Sequence, residues 1–73
     1  MGLAKKDVWC RDWRQAEALG GRMAGIGIGY RLTRCPGGGV WLFYWVASMA
    51  DWRRAEAQIT PAHQRGIARR GLA

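Results

Sequence analysis

The chain has 73 residues, of which 49% are hydrophobic, and it carries a net charge of +7 with a pI near 10.8. The apolar content argues against an intrinsically disordered chain, and two cysteines with one histidine are too few for a disulfide framework or a closed zinc site. The longest mainly apolar run, residues 40–50, is too short for a membrane span, which takes about 20 residues.

A near-repeat of one heptapeptide stands on either side of a glycine-rich and aromatic middle. Residues 12–18 read DWRQAEA, and residues 51–57 read DWRRAEA. The repeat predicts two similar helices with nearly balanced charges, in which the acidic residues cap the helix or pair with arginine rather than carry out acid–base chemistry. The excess positive charge therefore lies outside the two copies.

The first helix is predicted over residues 7–19. Trp9, Trp13 and Ala16 are spaced i, i+4, i+7, which places them on one side of a helix. The glycine pair at 20–21 is expected to end this helix, because glycine is a poor helix former. Under this prediction Trp13 and Trp52, one from each copy of the heptapeptide, lie in a shared core.

A β-hairpin is predicted after the first helix. Residues 26–35 alternate between larger apolar side chains and glycine or polar ones, as a half-buried strand does. Residues 36–39 read PGGG and predict a turn, and residues 40–47 are typical of the returning strand. The glycines within residues 25–29 lack the pattern of a phosphate-binding loop, so we interpret them as strand glycines against which a helix or a ring packs.

The register of this hairpin decides which aromatic side chains are buried. A four-residue loop would pair Cys35 with Val40, and a slip of one residue would exchange the two faces of the second strand. In the expected register Tyr30 lies opposite Trp45, and the core face consists of Ile28, Tyr30, Leu32, Trp41, Phe43 and Trp45. The second strand is apolar on both faces, so its surplus face, which includes Tyr44, needs a cover: the C-terminal tail, a second copy or a binding partner.

A second helix is predicted over residues 49–59, followed by a basic tail or a short third helix over 61–70. The pair at 60–61, Thr-Pro, is a favourable start for that third helix. Together the elements predict one α+β domain over residues 1–73, with the order helix, β-hairpin, helix (α–β–β–α). A chain of this size buries only about 60% of its extended surface, and its five tryptophans are expected to fill the core.

No arrangement of residues predicts catalysis, a cofactor site or a metal site. His63 is the single histidine, and no serine, cysteine or carboxylate stands at a spacing that suggests a catalytic pair. Cys10 and Cys35 are expected to be buried, reduced thiols. We therefore expect a non-enzymatic protein. No secretory signal pattern is visible, so we expect it in the cytoplasm of a bacterial host, without membrane association.

Basic and aromatic residues interleave in the hairpin and the tail, and this is the one positive signal for function. Ten of the twelve cations are arginine, whose planar group binds phosphate or carboxylate through paired hydrogen bonds. Grooves that combine cations with stacking aromatics hold single-stranded nucleic acid, and the same residue types form protein–protein hot spots. The predicted partner-binding residues are Arg31, Arg34, Tyr44, Arg65, Arg69 and Arg70.

The chain resembles, in type, the small anti-CRISPR proteins of phages and mobile elements. The likeness lies in its length, its lack of catalytic motifs and its Arg-, Ala- and Gly-rich usage, and not in a motif. It implies a stoichiometric inhibitor that binds an acidic or nucleic-acid-lined face of a Cascade-type CRISPR–Cas effector complex and blocks binding of target DNA. Two alternatives are a small protein that binds single-stranded DNA or RNA directly, and a homodimeric interaction module.

Overall fold

The computed structural model describes residues 3–59 and the backbone of residues 64–65. Two helices and the strands of an antiparallel sheet alternate along the chain, so the predicted α+β class is confirmed. The predicted order of helix, hairpin and helix is present, with one strand added before it and a short strand after it. The elements are β1 (Ala4–Cys10), α1 (Trp13–Gly25), β2 (Tyr30–Arg34), β3 (Val40–Val46), α2 (Met49–Glu56) and β4 (Gln64–Arg65).

The four strands lie in the order β2-β3-β1-β4. β3 pairs antiparallel with both β2 and β1, which are therefore parallel to each other with β3 between them. β4 pairs antiparallel with β1, with Arg65 opposite Val8. This order of elements and strands is that of the split β-α-β, or ferredoxin-like, arrangement. Both helices lie against the same face of the sheet, which leaves its other face without a helix in the described part of the chain.

The predicted start of the first helix is wrong, because residues 4–10 form a strand. Val8 and Cys10 are fully buried while Trp9 between them is half-buried, which is the alternation of a strand. The helix begins only at Trp13, after Asp12, whose side chain caps it by accepting a hydrogen bond of 2.8 Å from the Gln15 backbone N–H. The i, i+4 spacing of Trp9 and Trp13 was therefore not a helical spacing.

The predicted end of this helix is also wrong, because α1 continues through the glycine pair to Gly25. Gly20 is buried, and a Cβ atom added there would overlap the ring of Tyr30. Glycine in a helix costs about 1 kcal/mol relative to alanine, but here it allows the helix to lie close to β2. Tertiary packing therefore outweighs the low helix propensity.

The hairpin is present, but its first strand begins at Tyr30 and not at residue 26, so the glycines of residues 25–29 are not strand glycines. The register of the hairpin also differs from the expected one. Arg34 pairs with Val40, and Tyr30 lies opposite Tyr44 rather than Trp45, so the loop has five residues, 35–39. The backbone N–H of Cys35 donates to the Gly39 carbonyl at 3.1 Å, and Gly39 adopts a φ of 85°, which glycine tolerates. The extra loop residue shifts the pairing by one position and exchanges the faces of β3.

The core is therefore aliphatic rather than aromatic. Trp41, Phe43 and Trp45 were expected inside, yet they are only half-buried on the face away from the helices. The aliphatic residues of β3 and the small and aliphatic residues of the helices fill the interior instead. The buried residues are Val8, Cys10, Ala16, Leu19, Met23, Ile28, Val40, Leu42, Tyr44, Val46 and Ala55.

The second copy of the heptapeptide occupies a different place in its helix from the first copy. α2 starts at Met49 as predicted and ends at Glu56, three residues before the predicted end. Its cap is Ser48, whose hydroxyl oxygen accepts a 3.1 Å hydrogen bond from the Asp51 backbone N–H. Asp51 lies inside the first turn and pairs with Arg54 at 2.6 Å, whereas Asp12 of the first copy is itself the cap. The repeat is thus not a structural duplication.

The prediction for residues 61–70 lies outside the described residues, apart from Gln64 and Arg65. These two residues are extended and not helical, because they pair with β1. No helix in the described part of the chain has the length and apolarity needed to cross a membrane.

Candidate binding surface on the open face of the sheet

The face of the sheet opposite the helices, which we call the open face, carries aromatic and charged side chains. Side chains alternate between the two faces of a strand, so the paired registers identify its members. They are Lys5, Asp7 and Trp9 on β1, Arg31 and Thr33 on β2, and Trp41, Phe43 and Trp45 on β3.

Three of the four aromatic residues of the open face form a row along β3, and the fourth lies beside one end of that row. Trp9 lies directly opposite Trp41 at one end, and Phe43 and Trp45 continue the row along β3. All four are half-buried, so part of each ring remains in contact with solvent. Contiguous apolar patches on a protein surface are often contact sites, so this partly exposed row is a candidate for one.

The turn between β2 and β3 leaves room for one of these rings. A Cβ atom added at Gly39 would overlap the indole of Trp9, and the positive φ of 85° at this position is itself unfavourable for other residues. Gly39 therefore performs two tasks, since it closes the five-residue loop and lets the Trp9 indole lie against the backbone. The turn fixes one end of the aromatic row.

Two cations flank the middle of the row. The Lys5 ammonium lies 4.8 Å from the centroid of the Phe43 ring, a cation–π contact worth about 0.5–1 kcal/mol at an exposed site. Arg31 is directly opposite Phe43 on the other side and is exposed. Phe43 thus has a cation from each neighbouring strand close to it, the Lys5 ammonium over its ring and Arg31 opposite on β2, and it has the Asp7 carboxylate opposite on β1.

The structure separates the predicted partner-binding residues. Arg31 lies on the open face, but Arg34 is three residues further along the strand and lies on the opposite side. The guanidinium carbon of Arg34 is 4.5 Å from the ring centroid of Trp13, so this arginine packs on the start of α1. The two arginines do not form one surface, because an odd spacing along a strand places side chains on opposite faces.

The prediction that Tyr44 stacks on a partner is wrong, because its side chain is buried. Only 1% of Tyr44 is exposed, and its hydroxyl donates a 3.3 Å hydrogen bond to Glu56 Oε2. The Trp52 indole N–H donates to the same oxygen at 3.1 Å, so Glu56 ties α2 to β3. Tyr44 is a structural residue of the core, a consequence of the shifted register.

The remaining predicted site residues lie at or beyond the limit of the described chain. Arg65 is in β4 at the edge of the sheet beside β1, and its side chain is not described. Arg69 and Arg70 lie outside the described residues. Their assignment to a binding surface stays a prediction.

Sequence reasoning missed Lys5 and Trp9, because β1 was interpreted as the start of a helix. The signal that would have found them is the alternation Val8, Trp9, Cys10, which places the tryptophan on the side opposite two small buried residues. Trp41 and Trp45 were assigned to the core by the expected register. A loop of five residues instead of four would have placed them correctly.

The titratable groups with shifted pKa values have structural roles. Burial, with a smaller contribution from Asp12, raises the pKa of the Cys10 thiol to about 11, so it is a poor nucleophile at neutral pH. The backbone hydrogen bond from Gln15 lowers the pKa of Asp12, and the hydrogen bond from Arg54 lowers that of Asp51. Within residues 3–59 and 64–65, no group of three or more histidine, cysteine or acidic side chains could hold a metal ion.

A small concavity lies on the helix side, where β1 meets the start of α2. Its volume is about 220 Å³, below the roughly 300–1,000 Å³ of typical ligand pockets. Lys6 lies at its wall with its ammonium 4.6 Å from the Trp52 ring centroid. This cation is engaged with the core side of the molecule, unlike its neighbour Lys5.

Comparisons with protein-family models, with curated proteins and with solved structures found no match for this chain. Function is therefore inferred from the chemistry of the open face.

Proposed function

We propose that this chain is a non-enzymatic protein that binds single-stranded nucleic acid on the open face of its sheet. The observation that carries the proposal is the aromatic row with Lys5 and Arg31 on either side of Phe43. Bases stack on aromatic side chains with about 1–3 kcal/mol per base, and cations beside the rings neutralise the phosphates. The open face carries side chains suited to both kinds of contact.

The spacing of the rings favours a single strand over a duplex. Outward side chains of β3 repeat every second residue, or about 6.6–6.8 Å, whereas bases stacked in a duplex are about 3.4 Å apart. Bases that lie on successive rings must therefore be separated from one another. A single strand allows this separation. In a duplex the bases stay paired, and adjacent bases in the stack cover the faces of each base.

The charge of the whole chain supports the same partner class. The net charge of +7 attracts polyanions at long range and raises the rate of encounter. Acidic residues on the open face would oppose this attraction, and the described strands place one there, Asp7, against two cations. An acidic protein face would be attracted as well, so charge alone does not distinguish the two.

The direct test is a titration of a labelled ten-nucleotide oligo-U or oligo-dT with the protein, followed by fluorescence anisotropy at several salt concentrations. We expect the logarithm of the association constant to fall linearly with the logarithm of the salt concentration, with a slope of about −0.7 for each phosphate neutralised. No binding at 50 mM salt would overturn the proposal.

Adjacent lysines on opposite faces provide a matched pair of variants for this titration. Lys5→Gln removes a cation from the open face, and Lys6→Gln removes the same charge from the helix side. We expect Lys5→Gln to weaken binding several-fold and to reduce the magnitude of the salt slope by about 0.7. Lys6→Gln should leave both quantities nearly unchanged, and equal effects of the two variants would show that only total charge matters.

Inhibition of a CRISPR–Cas effector complex is our second proposal, and the same face would serve it. Tryptophan and arginine dominate protein–protein hot spots, and the open face offers three tryptophans with Arg31. This proposal predicts co-elution of the chain with a purified effector complex and loss of target-DNA binding by that complex. Free migration of the chain past the complex would count against it.

A homodimer through the open face also stays a prediction. Light scattering distinguishes it, because a mass near the 8.2 kDa of one chain would exclude a stable dimer.

A further inference from the structure

A single carboxylate lies in the middle of the open face. Asp7 is between Lys5 and Trp9 along β1, directly opposite Phe43, and it is half-buried. All other acidic side chains in the described residues belong to the helices or to the start of α1. Within a surface that binds phosphates this negative charge lowers the affinity for the phosphates, so its contact with a bound strand would be with another part of the nucleotide.

A carboxylate among stacking rings reads the edges of bases. It only accepts hydrogen bonds, so it favours bases that present donors and disfavours bases that present carbonyl oxygens. Because the Watson–Crick edges of an unpaired strand are exposed, side chains at the rim of a stacked base can read them. We propose that Asp7 makes the open face selective for guanine, an inference that rests on the proposed binding of single-stranded nucleic acid.

Guanine is the base whose edge matches a carboxylate best. Its N1–H and one N–H of its 2-amino group point in the same direction and donate to the two oxygens of one carboxylate. Adenine and cytosine each present one amino group beside a ring acceptor, and uracil presents one N–H between two carbonyl oxygens that the carboxylate repels. We therefore expect the open face to bind guanine most tightly and uracil most weakly among the four bases.

The register places the carboxylate within reach of a stacked base. Side chains directly opposite in an antiparallel pair have Cβ atoms about 4.5–5.5 Å apart, and diagonal neighbours are about 7–8 Å apart. Phe43 is the direct neighbour of Asp7, and Trp41 is a diagonal one. A base on either ring extends over the sheet toward β1. A carboxylate has about four acceptor sites, so a contact of Asp7 inside the protein leaves sites that a base can use.

The test compares two labelled probes, a ten-nucleotide oligo-U and the same oligonucleotide with one central G. We expect the protein to bind the G-containing probe about 5- to 150-fold more tightly, the discrimination typical of a bidentate contact. A third probe with inosine at the same position lacks the 2-amino group. Its affinity should lie between the other two, and this measurement needs no variant protein.

Asp7→Asn is the variant that isolates the carboxylate, because it keeps the shape and removes the charge. We expect it to bind oligo-U more tightly than the unaltered chain does, and to lose most of the preference for guanine. Glu17→Gln removes the same charge from the exposed surface of α1 and is the control. It should keep the preference.

The outcomes separate this inference from the function on which it rests. Absence of binding to every probe overturns the proposed function and the inference with it. Binding of the G-containing, inosine-containing and oligo-U probes with equal affinity overturns the role of Asp7 and leaves the function standing. If Asp7→Asn retains the full guanine preference, the role of Asp7 is likewise overturned and the function stands.

Discussion

The two faces of the sheet are built from different residues, although both belong to the same three strands. The helix face uses aliphatic and small side chains, such as Val8, Leu42 and Val46, which are 0–5% exposed and pack under α1 and α2. The open face uses three tryptophans and one phenylalanine with charges between them. Large rings gain much from burial, so the half-buried rings of the open face are the part of this surface that contact with a partner would bury further.

Residues of the same type on opposite faces of the sheet distinguish the roles of the two faces most clearly. Lys5 and Lys6, Arg31 and Arg34, and the five tryptophans are all divided between the two sides. If the open face is the binding surface, each member on that side affects binding, and each member on the helix side affects stability.

The largest effect is expected from Trp45→Leu, compared with Trp52→Leu. Trp45 is on the open face, and its loss removes one stacking ring, which weakens oligo-U binding by about 5- to 150-fold, or about 1–3 kcal/mol. Trp52 packs on the helix side and donates to Glu56, so its loss lowers the free energy of unfolding and leaves binding nearly unchanged. Anisotropy titrations and urea unfolding measure the two quantities, and a larger binding loss in Trp52→Leu would reverse the assignment of the faces.

The next effect concerns the turn that holds Trp9. Gly39→Ala introduces a side chain at positive φ and against the indole, so we expect it to lower the free energy of unfolding by about 1–3 kcal/mol and to weaken binding as well. Gly37→Ala is the control, because nothing lies within 4 Å of its added Cβ atom and its φ is not positive. If both variants were equally stable, Trp9 would not depend on the turn.

A smaller effect is expected from Arg31→Gln, compared with Arg34→Gln. Arg31→Gln removes one phosphate contact, so binding falls by roughly tenfold or less and the magnitude of the salt slope decreases by about 0.7. Arg34→Gln keeps the binding constant and costs up to about 1 kcal/mol of stability, because it removes the cation–π contact with Trp13. An equal loss of binding in both variants would indicate that the arginines act only through net charge.

Much of the architecture follows from local sequence signals. The PGGG turn, the strand after it and the start of α2 were all predicted, because each is set by nearby residues. β1 was not predicted, because three successive charged residues, Lys5 to Asp7, obscure its alternation. Its pairing with β3 also joins residues as distant as Ala4 and Val46. Such distant pairing leaves no mark in a local pattern.

The candidate site depended on one feature that local patterns leave open. Whether the hairpin loop has four or five residues is decided by the conformation of Gly38 and Gly39 and by the packing of Tyr30 on Gly20. The one additional loop residue determines which side of β3 faces the helices. It places Tyr44 in the core and Trp41 and Trp45 on the surface. Of the hairpin residues predicted to bind a partner, only Arg31 lies on the open face.

The five indole N–H groups provide the most direct test of the open face as the binding surface. In an NMR titration of ¹⁵N-labelled protein with oligo-U, each tryptophan gives one indole signal, which single Trp→Phe variants assign. The account predicts that the signals of Trp9, Trp41 and Trp45 shift on binding, while those of Trp13 and Trp52 stay in place. Shifts confined to Trp13 and Trp52, or the absence of any shift, would contradict it.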